Sequence, residues 1–191
     1  MRILTLGDSL TAGYGLAEAD SFPAQLQAAL KERGHDVDVL NGGVSGDTTT
    51  GGRARLEWAL VDQPDAVIVE LGANDGLRGI DPGLTRDNLS AILETLSAKG
   101  LPVLLAGMYA PPNFGSEYSE RFNAIYPDLA EQYGVMLYPF FLDGVATQAA
   151  LNQSDGIHPN REGVAMIVER ILPYVMRLIE QLPVVAPRSS G

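Results

Sequence analysis

The sequence predicts an α/β protein built on a parallel five-stranded sheet with helices on both faces. Two observations carry this reading. Five short apolar runs alternate with segments whose apolar residues recur at helical spacing, the pattern of right-handed β-α-β crossovers. Three of those runs break into polar, glycine-bearing turns: Gly7-Asp8-Ser9, Asn41-Gly42-Gly43-Val44-Ser45-Gly46-Asp47 and Gly72-Ala73-Asn74-Asp75-Gly76. Such turns fall at the carboxyl edge of the sheet, where open α/β proteins bind ligands.

The first strand is the apolar run that opens the chain, and Gly7 lets the backbone turn sharply where a side chain would obstruct it. Ser9 then sits at the carboxyl end of that strand. Phe22, Leu26 and Leu30 follow at helical spacing behind Pro23, and Gly34 is a left-handed stop. Val37 to Leu40 is the second strand, and its glycine-rich turn precedes a helix from about Thr48 to Asp62. Ala66 to Leu71 is the third strand. Asp81-Pro82 opens a helix with Leu89, Ile92, Leu93 and Leu96 on one face, ended by Gly100. Leu101 to Ala106 is the fourth strand, followed by an irregular segment from Met108 to Gly115. A helix with Phe122, Ile125, Tyr126 and Leu129 on one side comes next, bent at Pro127. Val135 to Leu137 is the fifth strand. A loop from Tyr138 leads to Asn160, the cap of a last helix marked by Val164, Ile167, Val168, Ile171, Leu172 and Val175.

Five such strands with a reactive turn after the first suit the flavodoxin-like order 2-1-3-4-5, whose switch point lies beside strand 1. No repeat, linker or composition shift divides the chain, so residues 1–182 are expected to form a single domain. Residues 183–191 carry two prolines and end in Ser-Ser-Gly, and are expected to be a flexible or vector-derived tail.

The chain has 191 residues, 46% of them apolar and 19% charged, the composition of an ordinary globular protein. Its 13 basic and 24 acidic residues give a net charge of −11, which repels phosphate backbones and anionic membrane surfaces. Nucleic acid is therefore not expected as a partner. With no cysteine and only His35 and His158, disulfides and thiolate chemistry are excluded, and a histidine metal site has few possible ligands. Catalysis is expected to be metal-free. No stretch has the length of a membrane span, so no integral membrane association is expected. The opening strand lacks the regions of a secretory leader, which leaves a cytoplasmic protein or a mature periplasmic form with Met1 supplied for expression.

Four segments bring complementary groups to one edge of the sheet. Ser9 is a candidate nucleophile; the plainer reading is a turn whose Asp8 and Ser9 cap the next segment. A serine hydroxyl needs a base, and His158 is the available one outside the first crossover. Asp155, three residues earlier in Asp155-Gly156-Ile157-His158-Pro159, can fix the tautomer of its ring, although the same stretch also reads as a turn with a surface histidine. A developing oxyanion needs fixed donors, and the Ser9 N–H, the Gly46 N–H and the Asn74 amide are of that kind. Gly46 and Asn74 also read as a helix-entry turn and an Asx turn. Gly43-Val44-Ser45-Gly46 begins like a G-x-S-x-G elbow but has Asp47 where the second glycine belongs, so Ser45 is read as a turn residue. His35 follows a helix stop and is read as solvated.

Together these blocks resemble the SGNH hydrolases, also called the GDSL esterase family. They are Gly7-Asp8-Ser9-Leu10, Gly46 within Val-Ser-Gly-Asp-Thr, Gly72-Ala73-Asn74-Asp75 and Asp155-Gly156-Ile157-His158-Pro159. The stretches Val69 to Gly79, Phe122 to Pro127 and Asp155 to Asn160 look like the bacterial thioesterase, lysophospholipase and arylesterase subgroup. The resemblance implies Ser9 as nucleophile, His158 as general base and acid, Asp155 as its partner, and Ser9, Gly46 and Asn74 as oxyanion donors. It also implies a three-layer α/β/α fold, no cofactor, and export in many relatives. The apolar loop from Met108 to Tyr118 is either local packing or an acyl-pocket wall, and the resemblance favours a wall made by Met108, Tyr109, Pro111 and Phe114.

The expected function is hydrolysis of carboxylic esters and thioesters with short to medium acyl groups, through an acyl-enzyme. The expected partner is a small-molecule ester or thioester. A carbohydrate O-acetyl esterase would use the same parts on a more polar substrate. A flavodoxin-like ligand-binding module would put phosphate on the glycine turns, but no Walker-type lysine follows either of them.

Overall fold

The computed structural model describes residues 1–182, so the expected tail at 183–191 lies outside the described residues. Strand β1 (Arg2–Gly7) lies inside a parallel sheet with β2 (Asp38–Gly43) on one side and β3 (Ala66–Glu70) on the other. Beyond β3 come β4 (Val103–Ala106) and β5 (Met136–Tyr138), giving the order β2-β1-β3-β4-β5 that the sequence suggests. The inner strands β3 and β4 are buried at every residue, and β1 at all but its first. That is why they read as largely apolar runs, broken only by Thr5 within β1 and Glu70 at the end of β3: in a covered parallel sheet both faces meet helices. The register sets Gly7 beside Gly43 and beside Glu70, so the carboxyl ends of the first three strands finish in one row.

The helices fill two outer layers. After β1 come α1 (Ser9–Ala12) and α2 (Phe22–Glu32); after β2 come α3 (Thr49–Ala54) and α4 (Leu56–Ala59). After β3 come α5 (Ala73–Leu77) and α6 (Pro82–Ala98), and after β4 come α7 (Ser116–Asn123) and α8 (Ile125–Tyr133). The last helix, α9 (Arg161–Glu180), packs on α2, while α6 packs on α3 and α8. The predicted stripe of α6, Leu89, Ile92, Leu93 and Leu96, is fully buried, as are Phe22, Leu26 and Leu30 of α2. Burying each such side chain contributes about 1.5 to 3 kcal/mol, so these two stripes hold the layers to the sheet. Among the described residues, no helix is long and apolar enough to cross a membrane.

Beyond shifts of one or two residues at the ends of β3, β4 and β5, three boundaries differ from expectation. The segment Asn41-Gly42-Gly43 is strand, because β1 continues to Gly7 and offers it a ladder partner at each position. The helix expected over 48–62 is two pieces meeting at Arg55. There the Arg55 guanidinium donates to Asp47 Oδ2 at 2.5 Å and to the Gly7 carbonyl at 2.8 Å, which ties the break to the end of β1. The helix expected to bend at Pro127 breaks at Ala124 instead. Pro127 has no N–H for the carbonyl four residues back, at Asn123. The Asn123 side chain accepts the Ala110 N–H at 2.9 Å and pins the loop after β4.

Candidate active site

Gly7 is the last residue of β1 and has no left-handed φ, so its role differs from the sharp turn expected of it. A Cβ there would overlap Thr11 Oγ1 and stand 2.7 Å from Glu70 Oε2, so only glycine lets α1 and β3 close over the strand end. Ser9 is accordingly the first residue of α1, one step beyond the strand and its Asp8 cap. The cap is made by Asp8 Oδ1, which accepts the Leu10 N–H at 3.0 Å. From below, Thr11 Oγ1 donates to Glu70 Oε2 at 2.8 Å, fastening the helix to β3.

His158 reaches Ser9 from the loop that precedes α9. Its Nε2 lies 2.9 Å from Ser9 Oγ, and its Nδ1 lies 2.6 Å from Asp155 Oδ2. Asp155 turns the loop on itself, because its Oδ1 accepts the N–H groups of Ile157 at 2.9 Å and His158 at 3.0 Å. Those donors, the His158 N–H first, lower the Asp155 carboxyl to about 2. The carboxylate is thus charged where it meets the imidazole. With Nδ1–H donating to Asp155, Nε2 is left as the acceptor for the serine proton.

Asn74 shares the lining of a cavity with Ser9, whereas Gly46 lies outside that lining, in the turn that Asn74 holds through Asp47. Asn74 lies in α5 just after the left-handed Gly72, and its Nδ2 donates to Asp8 Oδ2 at 3.1 Å and to the Asp47 carbonyl at 2.9 Å. Gly46, left-handed at φ 84°, precedes Asp47 in the same turn, and its carbonyl accepts from Arg78 at 3.0 Å. Among the described residues nothing accepts the Gly46 N–H. The Asn74 amide is therefore shared with two protein oxygens, whereas the Gly46 N–H is free to donate. Ser45 sits in an exposed turn and His35 is half-buried behind α2, and neither joins this group.

Three buried carboxyls surround the site. Asp75 is buried under bonds from Thr49 N, Thr49 Oγ1 and Thr85 Oγ1 at 2.8, 2.6 and 3.2 Å. Loss of hydration pushes Asp8 up to about 6, against the lowering pull of the Leu10 N–H and the Asn74 amide. Glu70, with no exposed surface, is pushed well above the usual carboxylate range, first by burial and then by the neighbouring charge of Asp8. Neither Asp8 nor Glu70 stands out in the sequence as a functional group. The signal for Glu70 is its place: a lone charge in a five-residue strand that is otherwise apolar.

Ser9, Asn74 and His158 open onto a cavity of about 570 Å³. Met108, Tyr109 and Pro111 are among its lining residues, with Phe140, Leu142 and Ala146 from a later loop. Tyr109 and Phe140 stack with centroids 4.6 Å apart, which joins the two loops. Phe114 lies outside this lining, against Tyr118 at 5.2 Å and over Gly79, where the ring packs on the neighbouring loop. The later loop is the Tyr138–Asn160 loop, and its apolar Phe140-Phe141-Leu142 run is the clue the sequence holds.

A polarised hydroxyl, a base with a carboxylate partner and nearby N–H donors are the parts of acyl transfer through a covalent intermediate. Among the described residues no group of three or more His, Asp or Glu side chains is arranged to hold a metal ion.

Residues 5–166 match the model of the GDSL-like Lipase/Acylhydrolase family. The chain is 47% identical over 178 residues to "Arylesterase" of Vibrio mimicus, covering 92% of this chain and 88% of that one. It is 40% identical to "Thioesterase 1/protease 1/lysophospholipase L1" of Escherichia coli, covering 93% and 84%. The crystal structure of TesA superposes with a TM-score of 0.88 at 40% identity, covering 93% of this chain and 99% of that chain.

Proposed function

Since the chain belongs to the GDSL-like lipase/acylhydrolase family and is a serine esterase, we propose that Ser9 is its nucleophile, His158 its general base and acid, and Asp155 the partner of His158. The observation that supports this is the line of contacts from Asp155 Oδ2 through His158 to Ser9 Oγ, at 2.6 and 2.9 Å, on the floor of an apolar cavity. In the proposed reaction Nε2 takes the Ser9 proton as Oγ bonds to the acyl carbon. The oxyanion receives the N–H groups of Ser9 and Gly46 and one N–H of Asn74. The proton then passes to the leaving oxygen or sulfur, and water repeats the sequence on the acyl-enzyme.

The substrates we infer are aryl esters, thioesters and lysophospholipids with short to medium acyl groups, in line with the names of the relatives. Walls formed by Met108, Tyr109, Pro111, Phe140 and Leu142 suit an acyl chain and weigh against acetylated sugars. Residues 1–182 act as one domain in this reading, around one hydrophobic cluster. The test is hydrolysis of p-nitrophenyl butyrate together with labelling by an organophosphonate. Wild type should turn over and take one label, and Ser9→Ala should do neither while keeping its melting temperature. A fully labelled Ser9→Ala variant would place the nucleophile elsewhere.

A further inference from the structure

The ring of Tyr14 lies against the imidazole of His158, with centroids 4.7 Å apart and planes inclined by 40°. Core packing does not account for this position, since Tyr14 is 54% exposed. The backbone around it is nevertheless fixed on both sides. Gly13 and Gly15 flank it at φ 81° and 76°, a conformation that L side chains adopt only under strain, so the loop carries one side chain between two residues that can have none. The Tyr14 N–H donates to the Ser9 carbonyl at 3.1 Å, which fastens it to the segment bearing the hydroxyl. Its carbonyl accepts from Gln153 Nε2 at 2.7 Å, and the same amide donates to the Pro159 carbonyl at 3.0 Å. The Gln153 N–H in turn donates to the His158 carbonyl at 2.7 Å. Tyr14 is thus tied to the segment of Ser9 and to the segment of His158 at once.

We propose that Tyr14 is a positioning residue for the base: its ring holds the imidazole with Nε2 toward Ser9 and stabilises the imidazolium that forms during acyl transfer. A cation within about 6 Å of an aromatic centroid is attracted by the ring quadrupole, and the imidazole is such a cation only while His158 carries the proton taken from Ser9. The contact therefore strengthens when the Ser9 O–H bond breaks and relaxes when the proton passes to the leaving group. Such an interaction lowers the barrier without tightening substrate binding.

The inference rests on His158 as the base, and a double-mutant cycle separates the two claims. Tyr14→Phe and Tyr14→Leu are made in the wild type and in His158→Ala, and kcat and KM for p-nitrophenyl butyrate are measured separately. Tyr14→Leu should lower kcat about two- to fivefold at unchanged KM, the rate equivalent of an exposed cation–π contact. Tyr14→Phe should restore the wild-type kcat, and Tyr14→Leu should have no effect on the residual rate of His158→Ala. A wild-type kcat in Tyr14→Leu, an equal loss in Phe and Leu, or the same loss in the His158→Ala background would overturn the role of Tyr14. A wild-type rate in His158→Ala alone would instead overturn the base assignment.

Discussion

The side-chain amide of Asn74 donates to Asp8 Oδ2 at 3.1 Å, which joins the third strand's turn to the residue immediately before Ser9. One amide hydrogen thus faces a buried carboxyl and the other the Asp47 carbonyl. In the proposed reaction the oxyanion of the acyl carbon bonded to Ser9 Oγ competes with these acceptors for the Asn74 N–H. Asn74→Ala removes that donor and should lower kcat by about 10² to 10³, roughly 2.7 to 4 kcal/mol, with little change in KM. Steady-state kinetics decide it: an effect confined to KM would make Asn74 a substrate-binding residue.

The two carboxyls nearest the nucleophile should appear differently in the pH profile. Asp155, held at about 2, adds no step above about pH 3. Asp8, at about 6, adds one, since its charge sets how strongly it draws the Asn74 amide. In Asp8→Asn the step near 6 should vanish. A profile unchanged by that substitution would detach Asp8 from catalysis.

Glu70 should limit stability at neutral pH. Its folded-state carboxyl is raised, so it holds its proton to higher pH in the native state than in the unfolded chain. Stability from such a group is complete below the ordinary carboxylate range and is lost as pH rises through the folded value. Asp8 has the same sign, and its rise from 3.8 to about 6 corresponds to about 3 kcal/mol between acid and neutral pH. Glu70→Gln keeps the shape and has no proton to lose. Its stability relative to wild type, read from urea unfolding, should be near zero at about pH 4 and grow toward about pH 8. A difference equal at both pH values would show that hydration loss at Glu70 is not the cause.

Chain-length selection should follow the Tyr109–Phe140 stack. Each buried substrate methylene contributes up to about 0.8 kcal/mol, so Tyr109→Ala or Phe140→Ala should flatten the dependence of kcat/KM on acyl length and leave acetyl ester turnover within a few-fold. Phe114→Ala, outside the lining, should alter it less. A uniform loss that includes the acetyl ester would assign the stack to support of the catalytic loop.

Legibility in the sequence divides along a physical line. The strands and the stripes of α2 and α6 are legible because period and burial are local properties of a run of residues. The Ser9, Asn74 and His158 segments are legible because each polar break follows an apolar run or sits beside a capped helix. The split at Arg55 is not, since it involves the Gly7 carbonyl, 48 residues away in the chain. Phe140 and Tyr14 escape notice for the same reason. Their partners, Tyr109 and His158, come from distant segments, and apart from the apolar run at Phe140 nothing in the neighbourhood of either residue announces them. Phe114 errs the other way: an apolar residue in the right loop finds a partner, Tyr118, within its own neighbourhood.

Ser9 and His158 are separated by 149 positions, and the helix after His158 packs on the first long helix, α2. During translation the hydroxyl is made before four of the five strands, while the base proposed for it emerges only after every strand of the sheet has been synthesised. A nascent chain stalled before that loop can lay down β1 to β5 yet has nothing to take the serine proton. With His158 as the proposed base, hydrolytic competence should switch on late, when the closing helix leaves the ribosome and docks on α2. Ester cleavage by stalled chains of graded length would therefore serve as a clock for the final stage of folding.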